Sequence, residues 1–166
     1  MNIPALNKLK SLAKDRAKSH KEYLEKLAKH PAKDLDYKVQ EIHDQVFDKV
    51  DCLSCANCCK TTGPLLTSAD ISRIAKHLKL KEAHFVDDYL RKDEDNDYVL
   101  QTLPCPFLGT DNYCSIYSVR PKACREYPHT DRKKFYQIRA ITLKNTSICP
   151  AAYAVVEQMM ARIPNK

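Results

Sequence analysis

Two glycines against nine prolines in 166 residues leave few sites for the positive-φ turns that tight β-hairpins require, which speaks against an all-β fold and for helices. No stretch reaches the apolar length of a membrane helix. The N-terminus, Met-Asn-Ile-Pro-Ala-Leu-Asn-Lys-Leu-Lys, lacks an uninterrupted apolar core of signal-peptide length, so a cytoplasmic protein without membrane contact is expected. There is no glycine-rich phosphate loop, no Ser-His-Asp arrangement and no acid/base pair whose geometry can be argued. The acidic run Asp93, Glu94, Asp95 and Asp97 lacks the glycine and the closing glutamate of a calcium loop and reads as a solvated loop.

With 43% hydrophobic and 30% charged residues, the chain falls in the soluble globular class at about the size of one domain. The formal charge of +7 comes from 28 basic and 21 acidic residues that are interspersed, so it serves solubility and nucleic acid is not expected as a partner. Asp15, Glu22 and Glu25 interrupt the basic face of the first helix in the same way.

What the chain does have is cysteine. Four of the eight lie in Cys52-Leu-Ser-Cys55-Ala-Asn-Cys58-Cys59. Two cysteines separated by two residues let a turn aim both sulfurs at one ion, and thiolates are the ligands that soft or borderline metals select. A C-x2-C-x2-C triplet followed at once by a fourth cysteine exceeds what one zinc knuckle takes from a single segment, whereas iron–sulfur proteins wrap cluster corners this way. Cys105, Cys114, Cys124 and Cys149 supply the remainder. Disulfides explain eight cysteines poorly in a reducing compartment.

Apolar residues Leu6, Leu9, Ala13, Ala17, Leu24 and Leu27 keep three-and-four spacing and predict a helix from Pro4 to about Leu27. Pro31 breaks it, and Leu35, Val39, Ile42, Val46 and Val50 predict a second. Residues 1–50 therefore read as a helical hairpin packed on the core, and 51–166 as one cysteine-cluster metal-binding domain. Thr67 and Asp70 mark a capped helix start. A short helix follows over 81–90, then a β-prone run Tyr98–Leu103, a turn at Gly109–Asn112 that folds Cys105 back near Cys114, and a short helix opened by Pro121 and ending around Cys124 to Glu126. Cys149-Pro150 opens a last amphipathic helix through Tyr153, Val156, Met160 and Ile163. Met159 and Met160 are packing residues, and His20, His30, His43 and His129 are surface or packing histidines. The fold class is mostly α with short irregular β segments, a small metal-stabilised cysteine-cluster core covered by helices.

The sequence resembles the YkgJ-type cysteine-cluster proteins, also described as the CxxCxxCC zinc- or iron-chelating domain. The resemblance is carried by Cys52, Cys55, Cys58, Cys59, Leu66-Thr67, Asp70-Ile71, Cys105-Pro-Phe-Leu108, Cys114-Ser-Ile-Tyr117, Arg120-Pro121, Cys124-Arg125, Tyr127-Pro128 and Cys149-Pro150, from Val50 to Ala152. Asn57 stands where the family often has glycine. The resemblance implies a metal and not a particular reaction.

Eight thiolates suit two four-coordinate sites, a cluster plus a zinc, or a cluster with spare structural cysteines. Adjacent side chains diverge, so Cys58 and Cys59 are expected to serve different sites or corners. A working partition places Cys52, Cys55, Cys58 and Cys149 on one centre and Cys59, Cys105, Cys114 and Cys124 on the other. Four thiolates leave negative charge that buried donors must answer, and Arg120 and Arg125, flanking Cys124, are the candidates, with Tyr117 and Tyr127 beside them. The cofactor is an iron–sulfur cluster or zinc. A metal-binding module is preferred; the alternative is a redox or transferase enzyme that uses an iron–sulfur cluster.

Overall fold

A computed structural model describes residues 2–164. The described residues are mostly helical, with short strands. The chain divides into two compact units, one formed by the N-terminal segment to Asp51 together with the segment from Pro128 onward, the other by Cys52–Tyr127.

In the first unit, α1 (Leu6–Lys29) buries Leu9, Ala13, Leu24 and Leu27, while Leu6 and Ala17 of the same stripe stay exposed. After Pro31, α2 (Leu35–Phe47) buries Leu35, Val39, Ile42 and Val46, a stripe of period 3.6. The packing partners of both helices lie at the other end of the chain. Helix α1 packs on α8 (Arg139–Asn145) and α9 (Pro150–Arg162), and α2 packs on α9. By packing, therefore, the segment from Pro128 onward goes with the N-terminal helices. Every residue of α9 from Pro150 to Val156 is buried, so this helix is the centre of the unit and not a one-faced amphipathic cover. The small side chains Ala151, Ala152 and Ala154 let neighbours approach it on several sides.

Polar groups fix the ends of these elements. The Tyr23 hydroxyl is shared between the Met159 and Ile163 carbonyls at 3.0 and 2.9 Å, at the C-terminal end of α9, where Met159 O also accepts from Ile163 N at 2.8 Å. The Asp36 carboxylate accepts from Lys134 N at 2.6 Å and Phe135 N at 3.1 Å, which caps the 3₁₀ turn Phe135–Ile138. His20 is a packing histidine, fully buried, with Nε2 2.6 Å from Glu157 Oε1. Burial lowers its pKa against the opposing pull of Glu157, and Arg16 Nε donates to the same carboxylate oxygen at 2.8 Å. His43 Nδ1 lies 2.7 Å from Thr130 Oγ1, its ring stacked on Phe47.

In the second unit two short helices, α3 (Cys52–Cys55) and α4 (Asn57–Thr61), precede β1 (Leu65–Leu66), α5 (Ser68–His77), α6 (Glu82–Tyr89), β2 (Leu90–Lys92), β3 (Tyr98–Leu100) and α7 (Lys122–Glu126). The strands form an antiparallel sheet in the order β1-β3-β2, with Leu66 opposite Tyr98 and Arg91 opposite Val99. Its core gathers Leu66, Ile71, Ile74, Phe85, Leu90, Leu100, Phe107 and Ile116, with Cys105 and Cys114 packed against it. Asp93 Oδ1 accepts from Asp95 N and Asp97 N at 3.0 Å each, so this carboxylate holds the turn between β2 and β3, as expected of a solvated loop.

Candidate metal centre

The first half of the cysteine motif is a helix broken at one residue. Had Cys52–Cys59 formed one continuous helix, Cys52, Cys55 and Cys59 would share a face, with Cys58 turned aside. Instead Ala56 adopts the left-handed conformation at φ 47°, which ends α3 and restarts the chain as α4. The left-handed position is thus Ala56 itself, and Asn57 is the first residue of the new helix. A hydrogen bond joins the Cys58 and Cys59 side chains. A helical offset of about 100° still lets suitable rotamers bring adjacent sulfurs together.

The second half is laid against the first by backbone. Cys105 N donates to Cys59 O at 2.8 Å, and Asn112 Nδ2 donates to Ser54 O at 3.2 Å. Gly109 N donates to Tyr113 O at 2.7 Å, and Leu108 pairs with Cys114 as an antiparallel bridge. The turn over Gly109–Asn112 does fold the segment back. A Cβ on Gly109 would lie 2.5 Å from Asp111 Oδ1 and 3.3 Å from Tyr113 O, so a side chain there would displace the Asp111 carboxylate and press on Tyr113 O. Pro121 precedes α7, and its carbonyl accepts from Cys124 N and Arg125 N at 3.0 and 3.1 Å.

Four thiols result that feel one another's charge: Cys59, Cys105, Cys114 and Cys124. Burial pushes Cys124 up to about 12, and the charges of Cys59, Cys105 and Cys114 add to it. Burial likewise raises Cys105 to about 11, with Cys59 and Cys114 contributing, and raises Cys114, on which Cys59 also acts. Cys59 runs the other way, lowered to about 7 chiefly by the hydrogen bond from Cys58. Among the described residues, no three His, Cys, Asp or Glu side chains are drawn together tightly enough to hold a metal ion. The thiols stand within electrostatic range of one another but short of a closed coordination shell. This donor set fits a thiophilic cation, because burial and mutual repulsion both penalise neighbouring thiolates and a bound cation relieves both at once.

Of the two arginines, Arg120 acts on the thiols. Its charge lowers Cys114 and Cys124 against the larger effect of burial. Its guanidinium lies 3.8 Å over the Tyr117 ring, and Nη1 donates to Tyr117 O at 2.7 Å. Arg125 is exposed on α7. Cys52 is exposed and Cys55 half-buried. Cys149 belongs to the first unit, where it is the N-cap of α9 and its sulfur accepts from Ala152 N at 3.4 Å. The N-terminal end of a helix favours an anion, which is the form in which cysteine binds metal.

One contributor stands in the sequence only as a cap. Asp70 is 1% exposed. Burial alone would raise its carboxyl; hydrogen bonds from Thr67, Arg73 and the Lys122 backbone outweigh that and hold it at about 2. Because the folded value lies below the unfolded one, the stability it contributes is fully present above about pH 4 and is lost as pH falls towards 2. Acid titration followed by circular dichroism is expected to show that Asp70→Asn removes about 2 kcal/mol of stability at neutral pH and flattens the loss between pH 4 and 2.

A mostly helical scaffold that folds two cysteine-bearing segments against each other around a group of thiols defines a cysteine-cluster protein. The chain belongs to the CxxCxxCC family, whose model, described as "Putative zinc- or iron-chelating domain", matches residues 51–150. That span begins one residue before Cys52 and ends one residue after Cys149. No curated protein and no solved structure matches the chain. None of the helices among the described residues is long and apolar enough to cross a membrane.

Proposed function

We propose that the chain is a metal-binding protein whose ligands are Cys52, Cys55, Cys58, Cys59, Cys105, Cys114, Cys124 and Cys149, and that the metal is iron held in an iron–sulfur cluster, with zinc as the alternative. The observation that carries this reading is the mutual electrostatic reach of Cys59, Cys105, Cys114 and Cys124, contributed by α4, the segment after β3, the turn beyond Gly109 and α7. When bound, a metal would cross-link these segments and neutralise their thiolates. Arg120 answers the residual negative charge from one side. Iron–sulfur is favoured by the C-x2-C-x2-C triplet, since a cluster offers separate irons to nearby thiolates, whereas one zinc gathers four sulfurs at about 2.3 Å.

Full-length protein isolated without oxygen is expected to be coloured, to contain iron and acid-labile sulfide, and to give the Mössbauer doublets of a cluster. Colourless protein carrying zinc under those conditions refutes the iron assignment and leaves the thiolate site standing. Protein with neither metal refutes the whole reading.

A further inference from the structure

The carboxylate of Asp70 divides its two oxygens between different tasks. Oδ2 accepts from Thr67 N at 3.0 Å and Thr67 Oγ1 at 2.7 Å, and Asp70 N donates back to Thr67 Oγ1 at 3.2 Å. That completes the capping box of α5. Oδ1 is not needed for it. It accepts from Lys122 N at 3.0 Å and from Arg73 Nη2, and Lys122 is the first residue of α7, a helix with no side-chain cap of its own. Asp70 therefore supplies from across the fold the acceptor that a helix start lacks. Arg73 completes the brace, with Nε donating to Val119 O at 3.3 Å and Nη2 to Arg120 O at 3.0 Å. Three bonds thus fix the backbone of residues 119–122, immediately before Cys124 and including Arg120, whose charge acts on Cys114 and Cys124.

Resting on the metal-binding reading, we infer that Asp70 and Arg73 are positioning residues of the Cys59, Cys105, Cys114 and Cys124 centre: by clamping residues 119–122 they set where the Cys124 sulfur and the Arg120 guanidinium stand, and so how tightly the centre binds metal. Neighbours that orient metal ligands typically contribute 10–100-fold in affinity, roughly, when removed. Arg73→Met is the informative variant, because it removes the bonds to Val119 O, Arg120 O and Asp70 Oδ1 while leaving the Thr67 bonds to Asp70 Oδ2 in place. Thr67→Ala is its control, since it weakens the cap of α5 without touching residues 119–122.

The test is titration of the full-length, metal-free, reduced protein with Co²⁺ at pH 7, following the thiolate-to-cobalt charge-transfer bands. Cys124→Ser identifies the part of the signal that comes from this centre. Arg73→Met is expected to weaken Co²⁺ binding there about 10–100-fold and to shift its bands while circular dichroism shows a folded protein. Arg73→Lys should recover part of the loss, and Thr67→Ala should leave affinity and bands as in the wild type. If Arg73→Met binds Co²⁺ like the wild type, or if Thr67→Ala loses as much affinity, the positioning role is overturned while the metal site stands. If the wild type shows no thiolate-to-cobalt band at all, the metal-binding reading falls and the positioning role with it.

Discussion

Replacing any one of Cys59, Cys105, Cys114 or Cys124 by serine is expected to strip the metal from the second unit and lower its melting temperature by more than about 10 °C. Such a link would add to the unit's small core. Its core is nine buried side chains, Ala75 among them, and a core in a segment of this size seldom supplies more than about 3–5 kcal/mol by itself. Structural zinc contributes on the order of 10 kcal/mol to peptides that fold around it, and small domains shift by roughly 4–8 °C for each kcal/mol. Without the metal, three of the four thiols are held in the protonated form at neutral pH by burial and by one another, so they cannot brace the fold as an anionic set. Thermal melts with metal analysis of each variant check this. A serine variant that has lost its metal yet melts with the wild type would show that the cysteines do not stabilise the unit.

Phe85→Ala is expected to cost about 3–5 kcal/mol in a urea titration and to weaken metal binding as well. Phe85 is fully buried. It stacks on Tyr89 with ring centroids 5.3 Å apart and on Phe107 at 6.3 Å, while Tyr89 and Phe107 meet at 5.0 Å. Phe107 follows Cys105 by two residues, and its carbonyl accepts from Ser115 N at 2.8 Å, so the aromatic stack is the floor on which the Cys105 and Cys114 segments rest. Truncation at Phe85 opens a cavity under that floor, and a close-packed interior collapses only partly to fill it. Phe85→Leu should cost less because most of the volume stays. A loss below about 1 kcal/mol for the alanine variant would mean that the stack does not support the loop.

How far the sequence could be read depended on how regular each signal was. Of the stripe Leu35, Val39, Ile42, Val46 and Val50, the first four are buried because a helix on a core enforces its period on the apolar residues, while Val50, past the end of α2, is half-buried. The Thr67–Asp70 cap and the turn at Gly109 were equally legible, being local patterns with a local cause. Residues 129–148 were not. There Phe135, Ile138, Thr142 and Asn145 are buried, but the chain changes from 3₁₀ to α at Arg139, and two of the four are polar. Thr142 Oγ1 donates to Ile138 O at 3.1 Å and Asn145 Nδ2 to Pro128 O at 3.1 Å, satisfactions that a hydrophobicity pattern cannot register. Strands β1 and β2, at two and three residues, are too short to show an alternation.

At the centre, the residue types carrying the chemistry stood in plain view, and their spatial grouping did not. A side-chain hydrogen bond joins Cys58 and Cys59, a contact that their spacing does not announce. Asp70 was visible as a cap, but its second role depends on Lys122, 52 residues further along, and nothing local announces a carboxylate that serves two helices.

The most direct measurement is X-ray absorption at the metal edge of the full-length protein with Cys52, Cys55, Cys58 and Cys149 all changed to serine, prepared without oxygen and analysed for metal. One metal centre per chain is expected, with a first shell of sulfur alone at about 2.3 Å. A folded protein that holds no metal, or a first shell of nitrogen and oxygen, would contradict the assignment of Cys59, Cys105, Cys114 and Cys124 as a thiolate metal centre.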